Sequence, residues 1–458
     1  MMERADMPDM LRLKTEEIDT PEKRSKYNVC VVGCEQGGMV YVVMFADAGF
    51  KVTCVDVDQN LVKSLAKGRA PISQRGLEPK LKSYVRTGTL SATSDLQTAV
   101  AHSDIVVVTG TLKNDDKENA DFSEIGKNCK QIGSSMHRGN LVIYAGAAGF
   151  GSTEGIVKET LETASGFKTG QDFGLAYVNA QVNERELHAE AIGEQELLVA
   201  ANDKASLDAV SAVLSTVAKK GVRQAANMKI AELTTLFEYA KKQLATALAN
   251  ELAITCEKAG VDYLETLKLA RPGCQESGSI PTIDGEWLEP WARLLSENAE
   301  NLGAKLRLLD LARHVNEEVM RHAVGLTQDA LRDCGKTLRR SRIALFGMAG
   351  PGTSGESFLK MLEAKGARIN RYDPHGVKDE EQDAVRAPKR NLTEAVENCD
   401  CIVILTAEDQ FKRLNLKSLR SAMKTPAAIV DLAGVFESKR VRGEGFLYRG
   451  LGRGFDKE

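Results

Sequence analysis

Along the first 180 positions, short apolar runs alternate with stretches of helical periodicity. YNVCVVG (27–33) is β-branched, apolar and stopped by glycine, which predicts a buried strand. A Gly-rich turn follows, then a helical stretch to Ala48, with Gly49 in the position that closes a helix. KVTCVDVD (51–58) predicts the second strand. Strand signals recur at DIVVVTG (104–110), NLVIYAG (140–146) and FGLAYVN (173–179). Between about 200 and 335 the pattern turns helical. From Ile230, apolar residues fall at Leu233, Leu236, Phe237, Ala240, Leu244, Ala247, Leu248 and Leu252, in steps of three and four. Such a helix, about 35 Å long, can connect domains and offer a dimer face; plain core packing is the other reading. A second strand-and-helix pattern begins at RIALFGMAG (342–350) and continues through ARINRYDP (367–374), CDCIVILT (399–406) and AAIVDLAG (427–434).

Strands alternating with helices predict parallel, doubly wound sheets. The opening strand–turn–helix–strand unit is the usual start of a dinucleotide-binding domain. The expected fold is therefore α/β: two Rossmann-like, doubly wound parallel-sheet domains joined by a central helical domain with a long helix. The expected boundaries are a loose polar leader (1–26), an N-terminal dinucleotide-binding domain (27–200), a central helical dimerisation domain (201–335) and a C-terminal α/β domain (336–458).

Composition narrows the function classes. The 458 residues are too many for one core. A formal net charge of −3, with no dense Lys/Arg cluster, argues against a nucleic-acid partner. No apolar run is long enough to span a membrane, and the charged N-terminus lacks the apolar stretch of a signal peptide; a cytoplasmic protein is expected. The nine cysteines are odd in number and form no CxxC pair, so neither a disulfide framework nor a metal site is expected.

Several segments, in order, resemble the UDP-glucose/GDP-mannose dehydrogenase family. They are VVGCEQGG with DVD one strand later, GRAPISQRGLEPKL (68–81), GSTEGIV (151–157), ALANELAITCEKAGVD (247–262), LDLARHVNEEV (309–319), YDP (372–374), ILTAEDQF (404–411) and YRGLGRG (448–454). The resemblance implies NAD as cofactor, a nucleotide sugar as substrate and a homodimer formed through the central helices. The family oxidises the sugar C6 alcohol to a carboxylate with two NAD⁺, through a thiohemiacetal on a cysteine. A thiolate makes the aldehyde covalent, and a Lys and an Asn stabilise the developing oxyanion.

At the matching positions most of that chemistry is replaced. In RPGCQESGSIPTIDGEWL (271–288), anchoring on Ile280-Pro281 puts Ser279 at the nucleophile position, and anchoring on Asp284 puts Ile280 there; Cys274 lies upstream. The Lys and Asn, one helical turn apart, become Thr235 and Tyr239. Lys241 and Lys242 are near in sequence but read as solvated surface residues. The family Glu becomes Gln181, which cannot act as a base. Asp284 alone matches, and a turn-capping Asp is its ordinary alternative.

The cofactor motif is altered as well. G-x-G-x-x-G becomes Gly33-Cys34-Glu35-Gln36-Gly37-Gly38, so Glu35 stands where the backbone approaches the pyrophosphate. A carboxylate ~4 Å from a phosphate charge costs ~4 kcal/mol at an effective dielectric of about 20. Asp56 ends the second strand and reads equally as a ribose ligand or as a helix cap. Ala147 replaces the Thr before the GSTE turn. In the C-terminal domain the family's Lys and Arg are missing from GPGTSGES (350–357), and Ala433 replaces another Arg. Gly350, Gly352 and Gly355 read equally as a phosphate cradle or a flexible turn. Arg449 and Arg453 remain as candidate phosphate partners.

Two readings stand. One is a diverged oxidoreductase that keeps NAD or nucleotide-sugar binding and is impaired in the standard reaction. The other is a catalytically inactive homologue acting as a ligand-binding, regulatory or assembly protein. A third, another ligand in the same cleft using Cys274, His188 or Asp284, has only residue type behind it.

Overall fold

A computed structural model describes residues 8–70, 77–110, 113–114, 120–146, 148–179, 196–270, 281–283, 289–347, 354–374, 389 and 391–454. The chain divides into two units, Met1–Glu238 with Arg293–Asn298, and Tyr239–Ala292 with Ala299–Glu458.

In the first unit the strands are β1 (Asn28–Val32), β2 (Lys51–Val55), β3 (Leu90–Thr93), β4 (Ile105–Val108), β5 (Lys113–Asn114), β6 (Ala120–Asp121), β7 (Leu141–Tyr144), β8 (Gly174–Asn179), β9 (Leu197–Ala201) and β10 (Val222–Gln224). Eight of them form one sheet in the order β10-β9-β8-β7-β4-β1-β2-β3, parallel except where β8 meets β9. The order reverses between β1 and β4, the crevice where open α/β sheets take their ligands. The central strands β4 and β7 are apolar and buried at every position because both faces of the sheet are covered there. Val29 and Val31 enter one core with Ile105, Val107, Leu141 and Ile143, while Cys30 and Val32 enter the other with Val106, Val108, Val142 and Tyr144. Each such side chain contributes about 1.5–3 kcal/mol of burial. The Gln36–Ala48 helix seals the first face and ends at Gly49, whose φ of 96° is left-handed.

Two expectations need correcting here. The stretch before β1 is built into the unit: Met10 and Ile18 are fully buried. Arg24 donates to the carbonyls of Ala48 (2.6 Å) and Ile18 (2.7 Å). Two buried apolar residues are too few to show a period, so the segment reads as a leader. The sheet also runs past 200, since β9 and β10 and the Lys204–Ser215 helix between them extend it to Gln224.

The second unit carries β11 (Arg342–Phe346), β12 (Arg368–Tyr372), β13 (Cys401–Ile404), β14 (Ala428–Asp431) and β15 (Leu447–Gly450), all parallel, in the order β12-β11-β13-β14-β15. The Arg307–Asp333 helix, expected in a central domain, covers one face of this sheet. Its Val319, Met320, Ala323, Val324 and Leu326 share a core with Ile343, Leu345, Val403 and Val430. The long helix runs Met228–Ala259. Its apolar stripe splits: Leu236, Ala240 and Ala247 are buried, while Phe237, Leu248 and Leu252 are exposed. Among the described residues, no helix is long and apolar enough to cross a membrane.

Candidate functional site

The turn after β1 keeps the backbone of a dinucleotide cradle. Gly33 has φ 88°, and its carbonyl accepts from the Thr109 hydroxyl at 2.6 Å. A Cβ at Gly38 would lie 1.8 Å from the Gly33 carbonyl oxygen, so only glycine fits there. Glu35 sits just before the Gln36–Ala48 helix with φ −65°, a conformation open to any residue, and it is exposed. The turn therefore folds without a glycine at 35; only close approach of a ligand would ask for one. The helix N-terminus directs its first N–H groups and positive dipole end at the same place. Asp56, at the end of β2, accepts from the N–H of Cys34 (2.8 Å) and of Asp58 (3.0 Å). The helix cap before Gln59 is Asp58. Asp56 thus ties the strand end to the turn, and each of its oxygens keeps a lone pair for a ribose hydroxyl. These residues fit a dinucleotide. Cys34 beneath them is buried, and burial holds its thiol well above the usual range, so it is a packing group.

A second turn follows β7. Gly151 (2.6 Å) and Thr153 (2.8 Å) donate their N–H groups to the two carboxylate oxygens of Glu232, which is fully buried. Burial raises the Glu232 carboxyl, and the hydrogen bonds from Thr153 and Gly151 oppose the rise. Phe150 donates its N–H to Asn298 at 2.6 Å. Sequence reasoning missed both anchors. The signal for Glu232 was a charged residue on the buried stripe of a helix, one turn before Leu236.

Thr235, at the position the resemblance gives to lysine, is buried against Tyr177, the hydroxyl oxygens 3.0 Å apart. Thr235 donates its own proton to the Ala231 carbonyl at 3.0 Å. Its oxygen is then the acceptor and the Tyr177 O–H the donor. Thr235 and Tyr177 form a neutral, internally bonded pair. On the same helix face, half-buried Glu238 accepts from Asn179 at 3.4 Å, and burial raises its carboxyl.

In the second unit, Tyr239, at the position given to asparagine, stacks on Trp291 with centroids 4.3 Å apart. Lys241 and Lys242 are exposed, as expected. Asn250 clamps Thr282, donating to its carbonyl (3.1 Å) and accepting from its N–H (2.9 Å), and also donates to Asn316 (3.1 Å). Two resemblance motifs thus converge on the segment just after Pro281. Asp431, fully buried at the end of β14, accepts from the N–H groups of Ala433, Val435 and Phe436 and from the Tyr448 hydroxyl. Burial raises its carboxyl, against those hydrogen bonds.

The two candidate phosphate arginines already have partners. Arg449 donates to Asp333 (3.1 Å from Nε), and Arg453 to Asp262. A phosphate would have to share them. The YRGLGRG glycines serve packing: Gly452 donates to Glu257 (2.7 Å) and accepts from Tyr263 (2.8 Å). Gly355 lies inside the Ser354–Ala364 helix rather than in a loop. Ala147, Gln181, His188, Cys274, Ser279, Asp284, Gly350 and Gly352 lie outside the described residues. Among the described residues, no three His, Cys, Asp or Glu side chains gather as metal ligands would.

Comparison with known proteins agrees with the cradle. Residues 27–218 match the NAD binding domain, and residues 353–438 the UDP binding domain, of the UDP-glucose/GDP-mannose dehydrogenase family. The chain is 27% identical to a UDP-N-acetyl-D-mannosamine dehydrogenase of Pyrococcus horikoshii, over 93% of this chain and 99% of the relative. It is also 27% identical to a UDP-glucose 6-dehydrogenase of Rhizobium meliloti, with the same coverage of each. A solved structure of a UDP-D-ManNAc dehydrogenase from Pyrococcus horikoshii superposes with a TM-score of 0.78, covering 93% of this chain and 99% of that one. At 24% identity that likeness is one of fold. The cofactor that goes with the first domain is NAD.

Proposed function

Because the chain belongs to the UDP-glucose/GDP-mannose dehydrogenase family, we propose that it is a nucleotide-sugar dehydrogenase homologue that binds NAD and a UDP-sugar but is impaired in the oxidation of the sugar C6 alcohol to a carboxylate. Bound NAD⁺ supplies the hydride acceptor. Gly33 makes the tight turn and Gly38 lets the helix pack closely on it, and Asp56 holds a ribose hydroxyl. Exposed Glu35 weakens the affinity without closing the turn.

The observation that carries the impairment is the Thr235–Tyr177 pair. An oxyanion developing at the sugar carbon needs an aimed donor, and the Tyr177 proton is committed to Thr235, whose own goes to Ala231. Loss of one such donor costs on the order of 10²–10³ in turnover. Gln181 removes a base, and Ser279 or Ile280, according to the anchor, in place of a thiol removes a strong nucleophile. The test is NADH formation with UDP-N-acetyl-D-mannosamine and UDP-glucose, the sugars in the relatives' names. Turnover near the ordinary enzyme value of ~10 s⁻¹ would refute the impairment.

The same reading extends to a homodimer. Leu248 and Leu252 on the long helix, and Leu308 and Leu311 on the Arg307–Asp333 helix, are exposed large apolar residues. They suit a partner surface. A monomer by light scattering would remove this part of the reading.

A further inference from the structure

A turn can be fastened by backbone alone or by neutral caps, yet the Gly149–Glu154 turn is fastened by a carboxylate with no solvent access. Glu232 reaches it from the Met228–Ala259 helix and accepts from two of its N–H groups, at 2.6 and 2.8 Å. Burying an ionised carboxylate is unfavourable unless its oxygens are filled, and here each takes a short, charge-assisted bond. Asn298 fixes the turn from a second side, accepting from Phe150 while donating to Leu294 at 2.8 Å. Packing leaves no slack: a Cβ at Gly149 would meet Leu294 Cδ1 at 3.0 Å and Asn298 Nδ2 at 3.2 Å. Lys229, on the same helix, pairs with Glu154 at 3.3 Å and lies over the Phe150 ring.

The position of this turn gives the rigidity a purpose. It leaves the carboxyl end of β7, in the β4-β7-β8 half of the sheet, across the switch point from the Gly33 turn. A dinucleotide lies across that crevice with one mononucleotide on each half. The Gly33 turn and Asp56 belong to the adenosine side, which leaves the nicotinamide side to the β7 turn. Glu232 sits three residues before Thr235, so one helix segment carries both the anchor of that turn and the partner of Tyr177.

We propose that Glu232 is a positioning residue for the nicotinamide half of the dinucleotide, acting through the Gly149–Glu154 turn; the inference rests on the NAD reading above. Two ligands separate positioning from simple stability. ADP-ribose carries the adenosine, the pyrophosphate and a second ribose but no nicotinamide ring, so it occupies the Gly33 side in full.

The experiment is calorimetric titration of the full chain, and of its Glu232→Gln and Asn298→Ala variants, with NAD⁺ and with ADP-ribose. Unfolding midpoints of all three proteins are measured alongside. Both variants loosen the same turn from different sides, so each should lose about tenfold in NAD⁺ affinity while ADP-ribose affinity stays within about twofold. Equal loss for both ligands, or loss for neither, would overturn the proposal. If the unaltered protein binds ADP-ribose but not NAD⁺, the turn does not serve the ring and the proposal also falls. If it binds neither, the dinucleotide reading fails first and takes the inference with it.

Discussion

The strand ends of the two sheets, the first parallel except where β8 meets β9 and the second all parallel, hold their polar groups differently. At the first, Gly33, Gly38, Asp56 and the start of a 13-residue helix form a turn in which each Asp56 oxygen accepts one N–H and keeps a lone pair. At the second, the polar groups are turned on one another. Asp431 gathers three N–H groups and a hydroxyl, Arg449 is held by Asp333 and Arg453 by Asp262. A buried acceptor filled from within stabilises a fold, and an edge left with unused lone pairs and N–H groups is what a ligand needs. The difference predicts that substitutions at the second edge act on stability, and those at the first on dinucleotide affinity.

The largest effect is expected at the second edge. Asp431→Ala removes the acceptor of three N–H groups, that of Phe436 fully buried, and should destabilise the protein by about 3–5 kcal/mol. Urea unfolding checks this; an intact midpoint would mean the second edge is not a stability knot. At the first edge, Gly38→Ala sets a methyl against the Gly33 carbonyl. NAD⁺ affinity should drop at least about 100-fold, some 3 kcal/mol, and unchanged affinity in calorimetry would remove the turn from the cofactor site. Glu35→Gly works the other way. The carboxylate is exposed, so water screens it, and ~1 kcal/mol at ~4 Å is the scale. Tighter NAD⁺ binding by roughly five- to tenfold is expected. A gain of three decades would mean Glu35 is the main barrier.

The smallest effect is a pH dependence. Burial raises the Glu232 carboxyl in the folded protein, so the folded state binds that proton more tightly than the unfolded chain. Its contribution to stability is then fully present below the ordinary carboxylate pKa and is lost as pH rises through the raised value. The stability of the native protein relative to Glu232→Gln should therefore improve as pH falls from neutral toward 5. Thermal unfolding at several pH values measures it, and an opposite slope would show that the two N–H bonds outweigh burial.

How much of this was legible in the sequence depended on range. The central strands read clean because burial on both faces makes them continuously apolar, as in β4 and β7. The boundary at 200 misled because β9 pairs antiparallel with β8, a relation no local pattern carries. The arginines 449 and 453 read as phosphate partners because their carboxylates lie 116 and 191 residues away in sequence. Thr235 was found from the spacing to Asn250. Tyr177, its partner, was hidden inside an apolar strand run, where a tyrosine reads as core.

The central proposal is that the dinucleotide half is kept while the oxidation is impaired. It is tested most directly by titrating the purified protein with NAD⁺ and, in the same preparation, following NADH formation with UDP-N-acetyl-D-mannosamine and UDP-glucose. The predicted result is micromolar NAD⁺ binding with turnover at or below roughly 10⁻² s⁻¹, about 10³-fold under an ordinary enzyme. Turnover near ~10 s⁻¹, or no NAD⁺ binding at millimolar concentration, would contradict it.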